Sequence, residues 1–117
     1  MRVGVVGSRG ITLYEALETT LNGAPEHWMD DPHLVSGGAD GVDTLAERYA
    51  EENGHPMTVI EPDYSDWSRG HPAKVRNTRI VEESDVVVAL WDGNSNGTRD
   101  TMDKALDRGV PLYMEIR

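Results

Sequence analysis

Val35-Ser36-Gly37-Gly38-Ala39-Asp40-Gly41-Val42-Asp43-Thr44-Leu45-Ala46 follows directly on Leu34, so a short apolar run ends in Ser-Gly-Gly. Past the glycines, Val42, Leu45, Ala46, Tyr49 and Ala50 recur at i, i+3, i+4, i+7 and i+8. This spacing predicts a strand, a glycine-rich turn and an amphipathic helix with almost nothing between them. Gly37 and Gly38 leave the turn without side chains. The helix then opens with unpaired N–H groups and the positive end of its dipole, an arrangement suited to a phosphate or carboxylate.

The same pattern repeats on either side. Arg2–Val6 is a β-rich run entering Gly7-Ser8-Arg9-Gly10, and Thr12 with Glu15 has the form of a capping box for a helix whose inner stripe is Tyr14, Leu17 and Leu21. Asn22-Gly23 ends that helix, and residues 24–32 form a polar connection in which Trp28 reads as a core or oligomer contact. His33–Ser36 is the second strand, and its helix runs to about Asn53-Gly54. Pro56–Ile60 is the third strand. The long loop Glu61–Pro72 carries Tyr64 and Trp67 as a lid, and Ala73–Glu83 is a helix holding Arg76, Asn77 and Arg79. Asp85–Leu90 is the most apolar strand, followed by the turn Trp91–Gly97 and a helix from Thr98 to about Arg108 that buries Met102, Ala105 and Leu106. Gly109 caps it, and Pro111–Ile116 is the last strand.

Strands and helices therefore alternate through five strands, each apolar enough to be buried on both faces. The expectation is an α/β, Rossmann-like, doubly wound parallel sheet of order 3-2-1-4-5, forming one domain over residues 1–117. Ligands of such sheets lie beyond the carboxyl ends of the strands, where the winding reverses between strands 1 and 4. The turns after strands 1, 2 and 4 all fall on that edge.

Composition narrows the function. The chain has no run of apolar residues long enough to span a membrane and no charged-then-apolar leader, so a soluble, cytoplasmic protein is expected. Cysteine is absent, and His27, His33, His55 and His71 lack ligand spacing, so no metal is expected. Twenty-one acidic residues against 11 basic ones give a net charge of −10, which argues against duplex nucleic acid as a partner. With lysine only at 74 and 104, the balance also fits a surface adapted to high salt, and a halophilic source is expected.

Ser8 and Arg9, Ser36 to Gly38, and Gly93 to Thr98 bring amides, small hydroxyls and a guanidinium to one edge, and Arg76 adds a second guanidinium. Turn geometry alone also explains glycines at such places, with Asp40 as an N-cap and Asp43 completing its capping box. No GxxxxGK[ST] or dinucleotide fingerprint is present. Trp91 is placed either to stack on a base or to cover the sheet end.

Ser36-Gly37-Gly38-Ala39-Asp40-Gly41-Val42-Asp43 resembles the SGxAxGxD signature of the SLOG superfamily, which includes DprA/SMF proteins and the LOG phosphoribohydrolases. Gly7-Ser8-Arg9, Arg76-Asn77 and Trp91-Asp92-Gly93-Asn94-Ser95-Asn96-Gly97-Thr98 look like its small YspA-type branch. The resemblance implies a pocket for a nucleotide or nucleotide-derived small molecule, without a cofactor. It also implies assembly as a homodimer or larger homo-oligomer. The implied ligand-binding positions after strand 1 are Gly7, Ser8 and Arg9. Those after strand 2 are Ser36, Gly37, Gly38, Asp40 and Asp43. Arg76 and Asn77 follow on the third helix, and Trp91, Asp92, Gly93, Ser95, Gly97 and Thr98 after strand 4. LOG enzymes cleave the N-glycosidic bond of nucleoside 5′-monophosphates with a glutamate in a motif resembling PGGxGTxxE. Here Thr101 stands at that position, and Asp100 points about 100° away on the helix. A binding module is therefore the first expectation, with Arg9, Arg76 and the amides of Gly37, Gly38, Gly97 and Thr98 on phosphate and Asp43 or Asp92 on ribose. A nucleotide N-glycosidase of LOG type, with Asp43 or Asp92 as the candidate catalytic carboxylate, is the alternative.

Overall fold

The computed structural model describes residues 1–25 and 27–117. The elements are β1 (Arg2–Gly7), α1 (Tyr14–Gly23), β2 (His33–Ser36), α2 (Val42–Asn53), β3 (Met57–Val59), α3 (Pro72–Glu82), β4 (Val86–Trp91), α4 (Asn96–Asp107) and β5 (Leu112–Ile116). All strand pairs are parallel and the sheet order is β3-β2-β1-β4-β5, the doubly wound arrangement expected from the alternation. Among the described residues, no helix is long and apolar enough to cross a membrane.

The strand pleat sends successive side chains to opposite faces. Val3, Val5, Leu34, Val86, Val88 and Leu90 meet α1 and α2 through Leu17, Leu21, Val42 and Ala46. Val6, Val35, Val87 and Ala89 meet α3 and α4 through Ile80, Val81, Met102 and Ala105. β4 is buried along nearly its whole length because helices cover both of its faces.

Local details depart from the sequence expectation. Thr12 does not cap α1: Ile11 is drawn into the core, its N–H bonds to the Ser8 carbonyl at 3.2 Å, and the helix starts only at Tyr14 after Leu13. The glycine Gly41, not Asp40, occupies the N-cap position of α2, with no side-chain cap bond. α3 begins at Pro72, whose missing N–H is harmless at that position, and the His71 ring accepts from the Ala73 N–H at 3.1 Å. α4 begins earlier than Thr98, with Ser95 as its N-cap. Leu106 is 64% exposed rather than buried. The inward arc of α4 is Thr98, Thr101, Met102 and Ala105, and Leu106 lies about 90° from its centre. Trp28 is partly buried against the α1/α2 core.

Candidate functional site

The crevice opens where β1 and β4 part. The Ser8 N–H donates to the Leu90 carbonyl at 3.0 Å, and the Ser8 hydroxyl accepts from the Asp92 N–H at 3.1 Å, so the loops after the two strands are tied together. The loop after β1 then lies directly on the start of α2. Gly41 has φ of +75°, and a Cβ there would stand 2.6 Å from Arg9 Cα, so only glycine permits both the backbone angle and the approach. That contact carries Arg9 to the mouth of the crevice.

Two cavities adjoin here. An inner one of about 120 Å³ is lined by Gly7, Arg9, Ala39, Asp43, Arg76, Asn77, Ser95, Gly97, Thr98 and Thr101, among others. An outer one of about 360 Å³ is lined by Arg9, Gly37, Gly38, Ala39, Asp40, Glu61, Pro62, Tyr64 and Arg76. Arg9 and Arg76 border both. Among the described residues Arg9 joins no ion pair, which leaves its guanidinium available.

Arg76 is held from several sides. Its Nη1 donates to the Gly37 carbonyl, and its Nε donates to Asn77 Oδ1 at 2.9 Å. Asn77 Nδ2 donates in turn to Asp100 Oδ2 at 3.0 Å, and Lys104 Nζ reaches the same oxygen at 2.6 Å. The chain of contacts fixes the plane of the guanidinium, whose remaining N–H groups are not used by it. Gly37 is needed for this packing, because a Cβ there would lie 2.7 Å from Arg76 Nη1 and 3.0 Å from Asp43 Oδ2.

Asp43 is only 6% exposed. Its carboxylate accepts from the Ala39 N–H at 3.1 Å, so it closes back onto the glycine-rich turn instead of pairing with Asp40. Burial pushes its pKa up from 3.8 to about 6, and the Ala39 N–H, the Arg76 charge and the Gly37 N–H restrain the rise. Burial also lowers the Arg76 pKa, opposed chiefly by Asp43. The guanidinium stays charged at any ordinary pH, so a cation and a titratable acid stand side by side in the crevice.

Of the residues singled out in the sequence, Gly7, Arg9, Asp43, Arg76, Asn77, Ser95, Gly97 and Thr98 meet at the inner cavity, and Gly37, Gly38 and Asp40 at the outer one. Others lie apart from both. Ser8 is buried as the tie between loops, and Ser36 is fully buried with its hydroxyl unpartnered among the described residues. Asp92 is exposed, and its Oδ1 accepts from the Asn94 and Ser95 N–H groups at 2.8 Å each, a bonding that lowers its pKa. Trp91 packs against the buried cluster on the α3/α4 side, and its Nε1 donates to the Ser95 carbonyl at 3.0 Å. Gly93 lines neither cavity.

Three features at the site are not among the ligand-binding positions expected from the sequence, although Thr101 and Asp100 are compared there with the LOG glutamate. Thr101 lines the inner cavity, and its Oγ1 donates to the Gly97 carbonyl at 3.2 Å. Asp100 and Lys104 support Asn77 from outside. Glu61 borders the outer cavity. Its place just past β3, on the same carboxyl edge as the glycine turns, was the available signal.

The family model described as YspA, cpYpsA-related SLOG (YAcAr) matches residues 1–69, more than half of the chain. The structure of TM1055, a Northeast Structural Genomics Consortium target, superposes with a TM-score of 0.70 at 25% identity, covering 95% of this chain and 71% of that one. DNA processing protein A (DprA) from Streptococcus pneumoniae superposes with a TM-score of 0.76 at 22% identity, covering 97% of this chain and 49% of that one. The chain thus spans about half the length of DprA. No curated protein sequence matches it.

Proposed function

The chain belongs to the YspA, cpYpsA-related SLOG family, and from that premise we propose that its crevice binds a nucleotide or nucleotide-derived ligand, acting as a sensor, carrier or sequestering module. The supporting observation is the convergence of Arg9 and Arg76 on two adjoining cavities between the starts of α2 and α4. Two guanidiniums beside the positive dipole ends of α2 and α4 make a phosphate site. A net charge of −10 disfavours duplex DNA as the ligand.

A second function is favoured by one observation. Asp43 lines the inner cavity with its pKa pushed up to about 6, as befits a carboxyl able to give up or take a proton near neutrality. In a nucleotide N-glycosidase it would act around an oxocarbenium-like centre, by analogy with glycoside hydrolysis. Thr101, standing where LOG enzymes have their glutamate, weighs toward binding without cleavage.

A calorimetric and thermal-shift screen of nucleoside mono-, di- and triphosphates, followed by chromatography of each ligand, separates the two. Intact ligand recovered after stabilisation marks a binding module, and released free base marks a glycosidase. Arg9→Ala should weaken a bound nucleotide by about 1.5–3 kcal/mol, the range for a charged hydrogen bond, with little change in folding. Unchanged affinity would remove Arg9 from the site, and silence from every nucleotide would sink the proposal.

A further inference from the structure

The two cavities differ in charge in a way that orients a ligand. Arg9 and Arg76 border both, whereas Asp40 and Glu61 border the outer one and not the inner. Glu61 also borders a third cavity of about 430 Å³ with Arg69, Arg76 and Arg79. Neither of these carboxylates joins an ion pair among the described residues. Glu61 is folded over the glycine turn: a Cβ built on Gly38 would lie 3.0 Å from Glu61 Cγ and 3.3 Å from its Oε1. Its carboxylate therefore borders the outer cavity at the level of the turn. Tyr64 closes the same cavity from the loop after β3.

A phosphate placed against Asp40 and Glu61 would be repelled by two carboxylates. The inner cavity instead sets Arg9, Arg76 and the start of α4 against the single carboxyl of Asp43, which already accepts from the Ala39 N–H. Two ionised carboxylates are acceptors only, so the part of a ligand that rests on them must donate hydrogen bonds. A vicinal diol does so with two hydroxyls, and carboxylates read ribose hydroxyls in this manner in other nucleotide-binding sheets.

We propose that the outer cavity is a ribose-diol subsite in which Glu61, assisted by Asp40, is the specificity-determining residue, so that the ligand is a ribonucleoside 5′-phosphate entering phosphate-first. The proposal rests on the phosphate-binding crevice advanced above. The guanidiniums sit between the two ends, where the 5′ oxygen bridges phosphate and sugar. The base then projects toward Tyr64.

The test uses the full chain and three probes: ribose 5-phosphate, 2-deoxyribose 5-phosphate and inorganic phosphate, each titrated by calorimetry. Ribose 5-phosphate should bind about 10- to 100-fold more tightly than the deoxy sugar, the value of a hydrogen bond to a charged group. Glu61→Gln should bring that ratio close to one, while inorganic phosphate binds the variant as well as the parent or better. Inorganic phosphate bound with equal affinities for the two sugars overturns the diol subsite alone, and so does a ratio that survives both Glu61→Gln and Asp40→Asn. Failure of all three probes to bind overturns the phosphate crevice and the subsite together. Should either variant misfold, the ratio in the parent chain still decides.

Discussion

Replacing Asp43 by asparagine tests the electrostatics of the crevice without any ligand. The carboxyl is 6% exposed, and its pKa rises from 3.8 to about 6 because burial penalises the charged form more than the Ala39 N–H and Arg76 relieve it. In the interval between these values the native state holds a proton that the unfolded chain has released. Asp43 thus contributes stability that is fully present below about pH 3.8 and is lost as pH rises through about 6. Across an interval of about two pH units, at about 1.4 kcal/mol for each, the change is about 3 kcal/mol. Asparagine keeps an acceptor for the Ala39 N–H but does not titrate. Arg76 stays charged beside the neutral amide, so the variant's own energy at this position does not change with pH. The pH dependence of the difference between parent and variant therefore isolates Asp43, since the many surface carboxylates titrate alike in both. Urea unfolding at constant ionic strength, followed by tryptophan fluorescence, supplies the measurement. Relative to the variant, the parent should lose about 2.5 kcal/mol between pH 4 and pH 7.5, the rest of the change lying below pH 4. A difference that varies by less than about 1 kcal/mol over that range, or that grows with pH, would mean a hydrated or Arg76-stabilised carboxylate and refute the argument from burial.

Gly41→Ala should unfold at a lower denaturant concentration by about 2 kcal/mol or more, because φ is +75° and the new Cβ would meet the Arg9 backbone at 2.6 Å; a change below about 0.5 kcal/mol would show that the loop after β1 gives way freely. Ser36→Ala should leave stability unchanged or raise it by about 1 kcal/mol, since the buried hydroxyl has no partner among the described residues. A loss above about 1 kcal/mol in thermal or urea unfolding would reveal a hydrogen bond at that position.

The legible parts of this chain are those governed by periodicity. The apolar stripe after Gly41 and the apolar run of β4 each predict an element without reference to anything distant, and alternation with right-handed crossovers then leaves the observed order. The convergence of Arg9, Asp43 and Arg76 follows from that topology, since all three lie near one edge of the sheet. Thr12, Asp40 and Leu106 were less legible because caps and helix arcs shift when one neighbouring residue is pulled inward, as Ile11 is. Glu61 carries no motif at all. It matters only because β3 ends beside the glycine turn.

The direction of individual polar side chains lay beyond the sequence for a different reason. Asp92 and Asp43 each follow a strand near a glycine turn, yet Asp92 spends an oxygen on its own loop amides in water, while Asp43 is enclosed beside Arg76. Trp91 follows the central strand as a stacking residue would, but it packs against the α3/α4 side of the sheet, and its Nε1 donates to the Ser95 carbonyl. Strand order, winding and the edge that bears the crevice follow from hydrophobic spacing and glycine placement, because burying apolar surface on regular elements admits few arrangements. Which carboxylate is desolvated, which guanidinium is held and which stays free depend on atoms brought together from remote parts of the chain, and only their packing sets the local dielectric and the hydrogen bonds.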